Sequence, residues 1–239
     1  MDLSVVLPTY NERENIEVLV PELVALFRRN KIDGEVIVVD DTSPDGTYEV
    51  AKAFSKKYGN VRVIVRPKKE GMGAALREGY DNARGDIIFS MDSDLAFDNE
   101  DILKALEKLK YCDLVVGSRH TASGGYEIRK FKTVFKWLIS KTGNFLLRIL
   151  SDVKVHDFSL NFRGIKKEVW KTFRTNSNTN SFMFETILLA KYNGFKISEI
   201  PVTFRDRIYG ESKLRLGRET PSFFLKAMKW SILARMKRL

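Results

Sequence analysis

Cysteine is almost absent from this 239-residue chain: Cys112 stands alone, so no internal disulfide can form, and a lone thiol fits a reducing compartment. Histidine is nearly as scarce, with two copies, His120 and His156. Structural zinc sites draw their ligands chiefly from Cys and His, so no such site is expected. No apolar run reaches the roughly eighteen residues that a bilayer-crossing helix requires. The chain runs at once into the apolar stretch Leu3 to Leu7, with no basic region leading into a signal core, which predicts no secretory leader. Glycine is missing from the first strand-to-helix turn, Pro8-Thr9-Tyr10-Asn11-Glu12, and this excludes the dinucleotide-binding fingerprint. Acidic residues, finally, are sparse in one half only. Residues 1–118 hold 16 Lys/Arg against 22 Asp/Glu, and residues 119–239 hold 25 against 9. An acidic half is thus joined to a strongly basic one, which suggests a polyanionic partner: nucleic acid, anionic lipid or a phosphate-rich small molecule. No helix-turn-helix, zinc finger or RNA-binding-sheet signature accompanies the charge, so no nucleic-acid partner is expected.

What is present reads as alternating elements. Leu3 to Leu7, Glu35 to Val39, Val61 to Val65, Asp86 to Phe89 and Asp113 to Val116 are short β-branched or apolar runs. Between them, apolar residues at three- and four-residue spacings predict helices over about 12–29, 46–58, 72–83 and 99–110. Strands this apolar cannot leave one face wet, so the pattern predicts an α/β fold, a mostly parallel sheet covered by helices. The length suits one large α/β domain or two small ones. In such sheets ligands sit at the carboxyl ends of the strands.

Paired carboxylates fall at two of those ends, Asp40-Asp41 after the second strand and Asp92 with Asp94 after the fourth. Four like charges on one edge repel unless compensated, and hard oxygen donors favour Mg²⁺ or Mn²⁺. The bland alternatives are a capped turn over Asp41 to Thr47 and an ordinary turn at Asp92 to Asp94. Gly71-Met72-Gly73 follows the third strand, where glycines permit close backbone approach and free amides with nearby lysines can hold an anion. Glu185 lies inside an apolar helical run, where a charge needs a partner; an ion pair and an acceptor-side base are both open. His156 reads as a hydrogen-bonding residue rather than a catalyst.

Together these pieces resemble the nucleotide-sugar-dependent glycosyltransferases of the GT-A fold, family 2, and within them the polyprenyl-phosphate mannose or glucose synthases. The resemblance rests on Val5 to Glu12, Val38 to Thr47, Gly71 to Ala75, Asp92-Ser93-Asp94 and Gly117-Ser118-Arg119. Asp157 to Arg163 and Val202 to Leu214 extend it over nearly the whole chain. It implies inverting transfer of a hexose from a nucleoside diphosphate sugar, GDP-mannose or UDP-glucose, to a polyprenyl or dolichyl phosphate. By the same resemblance Pro8, Tyr10, Glu12 and Asp41 contact the base and ribose, with Asp40 in support and Gly71 in the glycine segment. Asp92 and Asp94 lie beside the divalent cation (Mg²⁺ or Mn²⁺). Arg119, a basic residue of Arg129-Lys130, Arg207 and Lys213 receive phosphate, and Asp157 belongs to the acceptor side.

Two segments bear on a membrane. Apolar residues from Phe131 to Leu150 recur at helical spacing with Lys132, Lys136, Lys141 and Arg148 between them, which predicts over 126–150 one basic amphipathic helix, or a pair of helices broken around Thr142-Gly143-Asn144. A second such stretch, 216–239, closes the chain beyond a catalytic domain at 1–215 and carries Trp230. The expected location is peripheral, on anionic lipid at the cytoplasmic face of the membrane. The sequence also departs from the family. Ala96 stands where a metal-side Gln is usual, and Ser159-Leu160-Asn161 replaces Thr-Ser-Gly before Phe162-Arg163. These changes leave open a sugar-hydroxyl acceptor, or an inactive membrane-associated paralogue that only binds nucleotide.

Overall fold

A computed structural model describes residues 1–121, 123–126 and 131–205, with 131–139 as backbone alone. Arg207, Lys213, Arg129-Lys130 and the stretch 216–239 lie outside the described residues. Strand and helix alternate as predicted through β1 (Leu3–Thr9), α1 (Arg13–Arg29), β2 (Gly34–Asp40), α2 (Thr47–Tyr58), β3 (Val61–Val65), α3 (Met72–Asn82), β4 (Ile87–Met91), α4 (Asp101–Leu109) and β5 (Leu114–Ser118). There follow β6 (Gly125–Tyr126), α5 (Phe131–Ser151), β7 (Phe162–Lys166), α6 (Lys167–Trp170), α7 (Ser181–Tyr192), β8 (Ile197–Pro201) and β9 (Thr203–Phe204).

The sheet has seven strands in the order β3-β2-β1-β4-β7-β5-β8. All its pairings are parallel except those of β7, which runs antiparallel between β4 and β5. Side chains alternate across it with period two. Leu3, Val5 and Leu7 meet Leu19, Leu23 and Ile102 of α1 and α4 on one face. Val6, Ile37 and Val39 meet Leu76, Tyr80 and Phe182 of α3 and α7 on the other. Each such side chain taken fully from water contributes about 1.5–3 kcal/mol, which is why these strands read as continuous apolar runs. Helix α7 is buried all round from Ser181 to Ala190, as befits a helix that is apolar on every side.

For the basic amphipathic segment, one helix prevails over a broken pair. Helix α5 continues through Thr142-Gly143-Asn144 as a single helix of 21 residues. Asn144 does not break it because its amide turns inward: Nδ2 donates to the Ser140 carbonyl at 3.0 Å, and Oδ1 accepts from the Phe158 amide at 2.8 Å. Its apolar side chains divide between the two faces. Gly143, Asn144, Leu147 and Ser151 are buried, while Phe145, Leu146 and Ile149 are 61%, 47% and 57% exposed.

Candidate active site

The parallel strands bring their carboxyl ends to one edge, and the loops that leave them carry nearly every residue singled out above. Strain gathers there too. Asn11, Thr42 and Leu95, which follow β1, β2 and β4, have φ of 54°, 53° and 58°. A left-handed backbone is disfavoured for a non-glycine residue and clusters at functional sites.

The Asp40-Asp41 pair has compensating partners within the protein. Asp40 is fully buried and accepts from the Ser43 hydroxyl at 2.5 Å, the Ser43 amide at 2.9 Å and the Thr9 hydroxyl at 3.2 Å. It therefore shapes the turn that presents Asp41. Asp41 pairs with Nη1 of Arg66 at 2.6 Å, and Nη2 of that guanidinium reaches Glu70 at 2.8 Å. Burial pushes the Asp41 carboxyl up, and Arg66 offsets part of that shift. Tyr10 has the Lys69 ammonium 3.5 Å from its ring centroid, a cation–π arrangement. Glu12 closes this side: its amide donates to Thr47 at 3.0 Å, and its carboxylate accepts from Asn15 at 2.6 Å. Pro8 is partly buried at the end of β1, and its carbonyl accepts from Ser93 at 3.2 Å.

The glycine segment does different work from that expected. The amides of Gly73, Ala74 and Ala75 donate to Asn178 and Gly71 carbonyls, so they are not available to an anion. The close approach belongs to the chain's own loop: a Cβ at Gly71 would stand 2.3 Å from the Asn178 oxygen, and one at Gly73 would stand 2.4 Å from that of Ser177. Two charged residues lock this loop. Arg77 donates to the Thr175 and Ser177 carbonyls and to the Asn178 side chain. Glu185 accepts from the amides of Asn176 and Ser177 at 2.8 and 2.9 Å. Gly73→Ala is therefore expected to cost about 1–3 kcal/mol, read as a lower urea midpoint with an unchanged slope.

Asp92 and Asp94 follow β4 directly. Asp94 is 3% exposed and accepts from the Ala96 amide at 3.2 Å. Ala96 and Phe97 belong to the core, with the Phe97 ring 5.3 Å from that of Phe162 and 5.7 Å from that of Phe204. The family's polar donor has thus been replaced here by packing. Among the described residues no group of three or more His, Cys, Asp or Glu side chains converges on a metal position. A cation held by protein alone does not fit this loop. One held by two carboxylates together with diphosphate oxygens and water does, which is the usual situation of Mg²⁺.

Beyond β5 stands a buried ion pair. The guanidinium of Arg119 meets Asp157 through both Nε, at 2.7 Å, and Nη2, at 3.0 Å, while Nη2 also reaches Ser159 at 3.2 Å. The Asp157 side chain is wholly buried. Burial alone pushes its carboxyl up, but Arg119 and, more weakly, His120 outweigh it and hold the group below the usual carboxylate range. Asp157 thus orients Arg119. Sequence reasoning missed Arg163, which is fully buried and donates to the Leu160 and Met183 carbonyls, fixing the turn that carries Asp157 to Asn161. Burial pushes its pKa down to about 10. Helix α5 joins this edge by one polar stripe: Ser140 meets His120, Asn144 meets Phe158, and Arg148 meets His156, which also bonds Glu199 at 2.7 Å. His156 thus serves as the hydrogen-bonding residue it was read to be.

Comparisons with known proteins agree with this geometry. The family model described as Glycosyl transferase family 2 matches residues 4–173. The chain is 38% identical over 225 residues to a dolichol-phosphate mannosyltransferase of Pyrococcus furiosus, covering 90% of this chain and 60% of that relative's length. It is 32% identical over 247 residues to a polyprenol monophosphomannose synthase of Mycolicibacterium smegmatis, covering 98% of this chain and 88% of the relative. A glucosyl-3-phosphoglycerate synthase of Mycobacterium tuberculosis, solved with Mn²⁺, uridine diphosphate and phosphoglyceric acid, shares the fold. Its TM-score is 0.68 at 20% identity, over 98% of this chain and 78% of that one.

Proposed function

The chain belongs to glycosyl transferase family 2, and from that premise we propose that it transfers one hexose, mannose or glucose, with inversion from a nucleoside diphosphate sugar to a polyprenyl or dolichyl phosphate. The observation that carries this reading is the meeting at one sheet edge of the Asp41 turn, the Asp92/Asp94 loop and the Arg119–Asp157 pair. Mannosyl transfer is favoured by the names of the two relatives.

Tyr10, Glu12 and Asp41, with Pro8 beside them, would receive base and ribose, on a turn that Asp40 keeps rigid. Asp92 and Asp94 would hold Mg²⁺ or Mn²⁺ jointly with the donor's diphosphate. When bound, the ion supplies positive charge where negative charge develops on the leaving diphosphate. Arg119, locked in a two-point fork, presents a pre-set cation to a second phosphate; such forks match phosphate geometry. Repulsion between two phosphate-bearing substrates is thereby lowered. Arg207 and Lys213 are proposed to join it.

The acceptor class follows from basicity. A sugar hydroxyl needs a general base, whereas a phosphomonoester arrives already anionic at neutral pH. Asp157 is buried and made less basic by Arg119, so it is poorly suited to take a proton. The site therefore suits a phosphate nucleophile better than a hydroxyl. A panel of labelled donors with Mg²⁺ or Mn²⁺ and membrane lipid extract tests this: label from GDP-mannose or UDP-glucose should enter the lipid fraction. Its failure to do so with every donor would refute the reading.

A lipid acceptor is met at a bilayer, and α5 offers the surface. Among the described residues no helix is long and apolar enough to cross a membrane. The outward apolar side chains of α5, with the exposed Lys141 beside them, suit shallow insertion among anionic headgroups. Contact would be peripheral, at the cytoplasmic face, with the basic stretch 216–239 beyond the catalytic domain as a second contact. Substituting Phe145→Glu and Leu146→Glu together should reduce co-sedimentation with anionic vesicles at least about tenfold, while transfer to a short, water-soluble prenyl phosphate is retained.

A further inference from the structure

Asn161 stands where the family usually has glycine, and the chemistry proposed above leaves its side chain without a task. It is 2% exposed and closes a buried hydrogen-bond relay. The Asn161 Nδ2 group donates to Asp92 Oδ1 at 3.0 Å. Its Oδ1 accepts from the Ser90 hydroxyl at 2.6 Å, and that oxygen lies 2.8 Å from the Tyr80 hydroxyl. The direction of the chain is fixed by chemistry. An ionised carboxylate only accepts, so the amide must turn its NH₂ toward Asp92 and its oxygen toward Ser90. Ser90 then spends its one proton on Asn161 and accepts from Tyr80, whose hydroxyl burial keeps protonated. The main chain adds a second grip, for the Asp92 amide donates to the Asn161 carbonyl at 3.2 Å.

We propose that Asn161 is the positioning residue for Asp92: the Tyr80–Ser90–Asn161 relay sets the orientation in which that carboxylate meets the cation of a bound nucleoside diphosphate. The proposal rests on the reading of the site given above. It also explains how a loop that has lost a polar donor at Ala96 keeps its carboxylate aimed. A glycine at 161 supplies the main-chain grip alone, whereas this chain adds a side-chain restraint from the residue that precedes β7. Orienting partners of metal-bound carboxylates are commonly worth 10- to 100-fold in metal affinity, about that order being expected here.

The test is a Mn²⁺ titration of GDP and UDP binding by calorimetry, on wild type and on Asn161→Leu, Asn161→Gly and Ser90→Ala. The relay predicts that half-saturation moves to about tenfold or more higher Mn²⁺ in each variant. Binding of the nucleoside monophosphate without metal should stay at the wild-type value. Asn161→Gly, which carries the family's own residue, and Ser90→Ala, which leaves Asn161 in place, keep the test decisive if Asn161→Leu does not fold. Variants that match the wild-type Mn²⁺ midpoint would overturn the relay and leave the site reading standing. An equal loss of metal-free binding would reduce Asn161 to a structural residue and overturn it too. A wild-type protein with no Mn²⁺-dependent nucleotide binding would remove the site reading itself, and the relay with it.

Discussion

Replacing Asp94 by Asn is expected to lower kcat about 100- to 1,000-fold, the usual loss when one electrostatic contact to developing charge is removed. The fold should survive. Asn keeps the volume of Asp and retains an oxygen to accept the Ala96 amide, one bond of Asp94, so the melting temperature should change little. The neighbouring core is apolar packing by Ala96 and Phe97, which does not respond to the charge at 94. Turnover measured beside a thermal melt separates the two effects. Near wild-type turnover, or a lost transition in the melt, would remove Asp94 from the metal side of the site.

Replacing Arg119 by Met gives the second large effect, and it carries an inverted pH signature. Removing one partner of a buried pair typically costs about 3–5 kcal/mol because the other charge is left uncompensated. For a chain of this size that is a fall in Tm of roughly 10 °C. In the wild type the folded carboxyl of Asp157 lies below its ordinary value. Its contribution is therefore complete above the unfolded pKa of about 3.9, and is lost as pH falls through the lower folded value. Without Arg119, burial dominates and the folded pKa rises above the unfolded one. The charged form then opposes folding at neutral pH, and the variant should recover stability relative to wild type as pH is lowered from 7 toward about 4. Denaturant midpoints at several pH values read this out. A constant gap between the two proteins across that range would show that Arg119 does not govern the state of Asp157.

The sequence made the first five strands legible because both faces of each are covered, and Val36 to Val39 or Ile87 to Phe89 can be read without knowing the partners. The acidic pairs were placed correctly at strand ends for the same reason: each follows a strand directly. Their compensation was not legible. Arg66 lies 25 residues from Asp41, and Asp157 lies 38 from Arg119, separations at which local pattern carries no information. Strand β7, Phe162–Lys166, alternates no apolar face and carries Arg163 and Lys166. Its burial depends on being enclosed between β4 and β5, which is a tertiary fact. The glycines at 71 and 73 were recognised as sites of close approach, yet what approaches them, the 175–180 loop, enters from a hundred residues farther along. At Asn144 propensity left one helix or a broken pair open, and the inward-facing amide that decides for one helix bonds Phe158, fourteen residues on. Arg163 was passed over as motif, although its side chain holds two loops together.

The reversed strand has a mechanical corollary. In a sheet of purely parallel strands, every connection reaches the ligand edge only as it departs from a strand. Because β7 points the other way, the polypeptide instead delivers residues 157 to 161 on its way inward, straight off the C-terminal turn of α5. Asn144 and Arg148 of that helix therefore bond the same segment, at Phe158 and His156, whose Asn161 and Asp157 bond Asp92 and Arg119. One inverted element thus ties the edge of the pocket to a distant helix through side-chain bonds rather than through a strand connection.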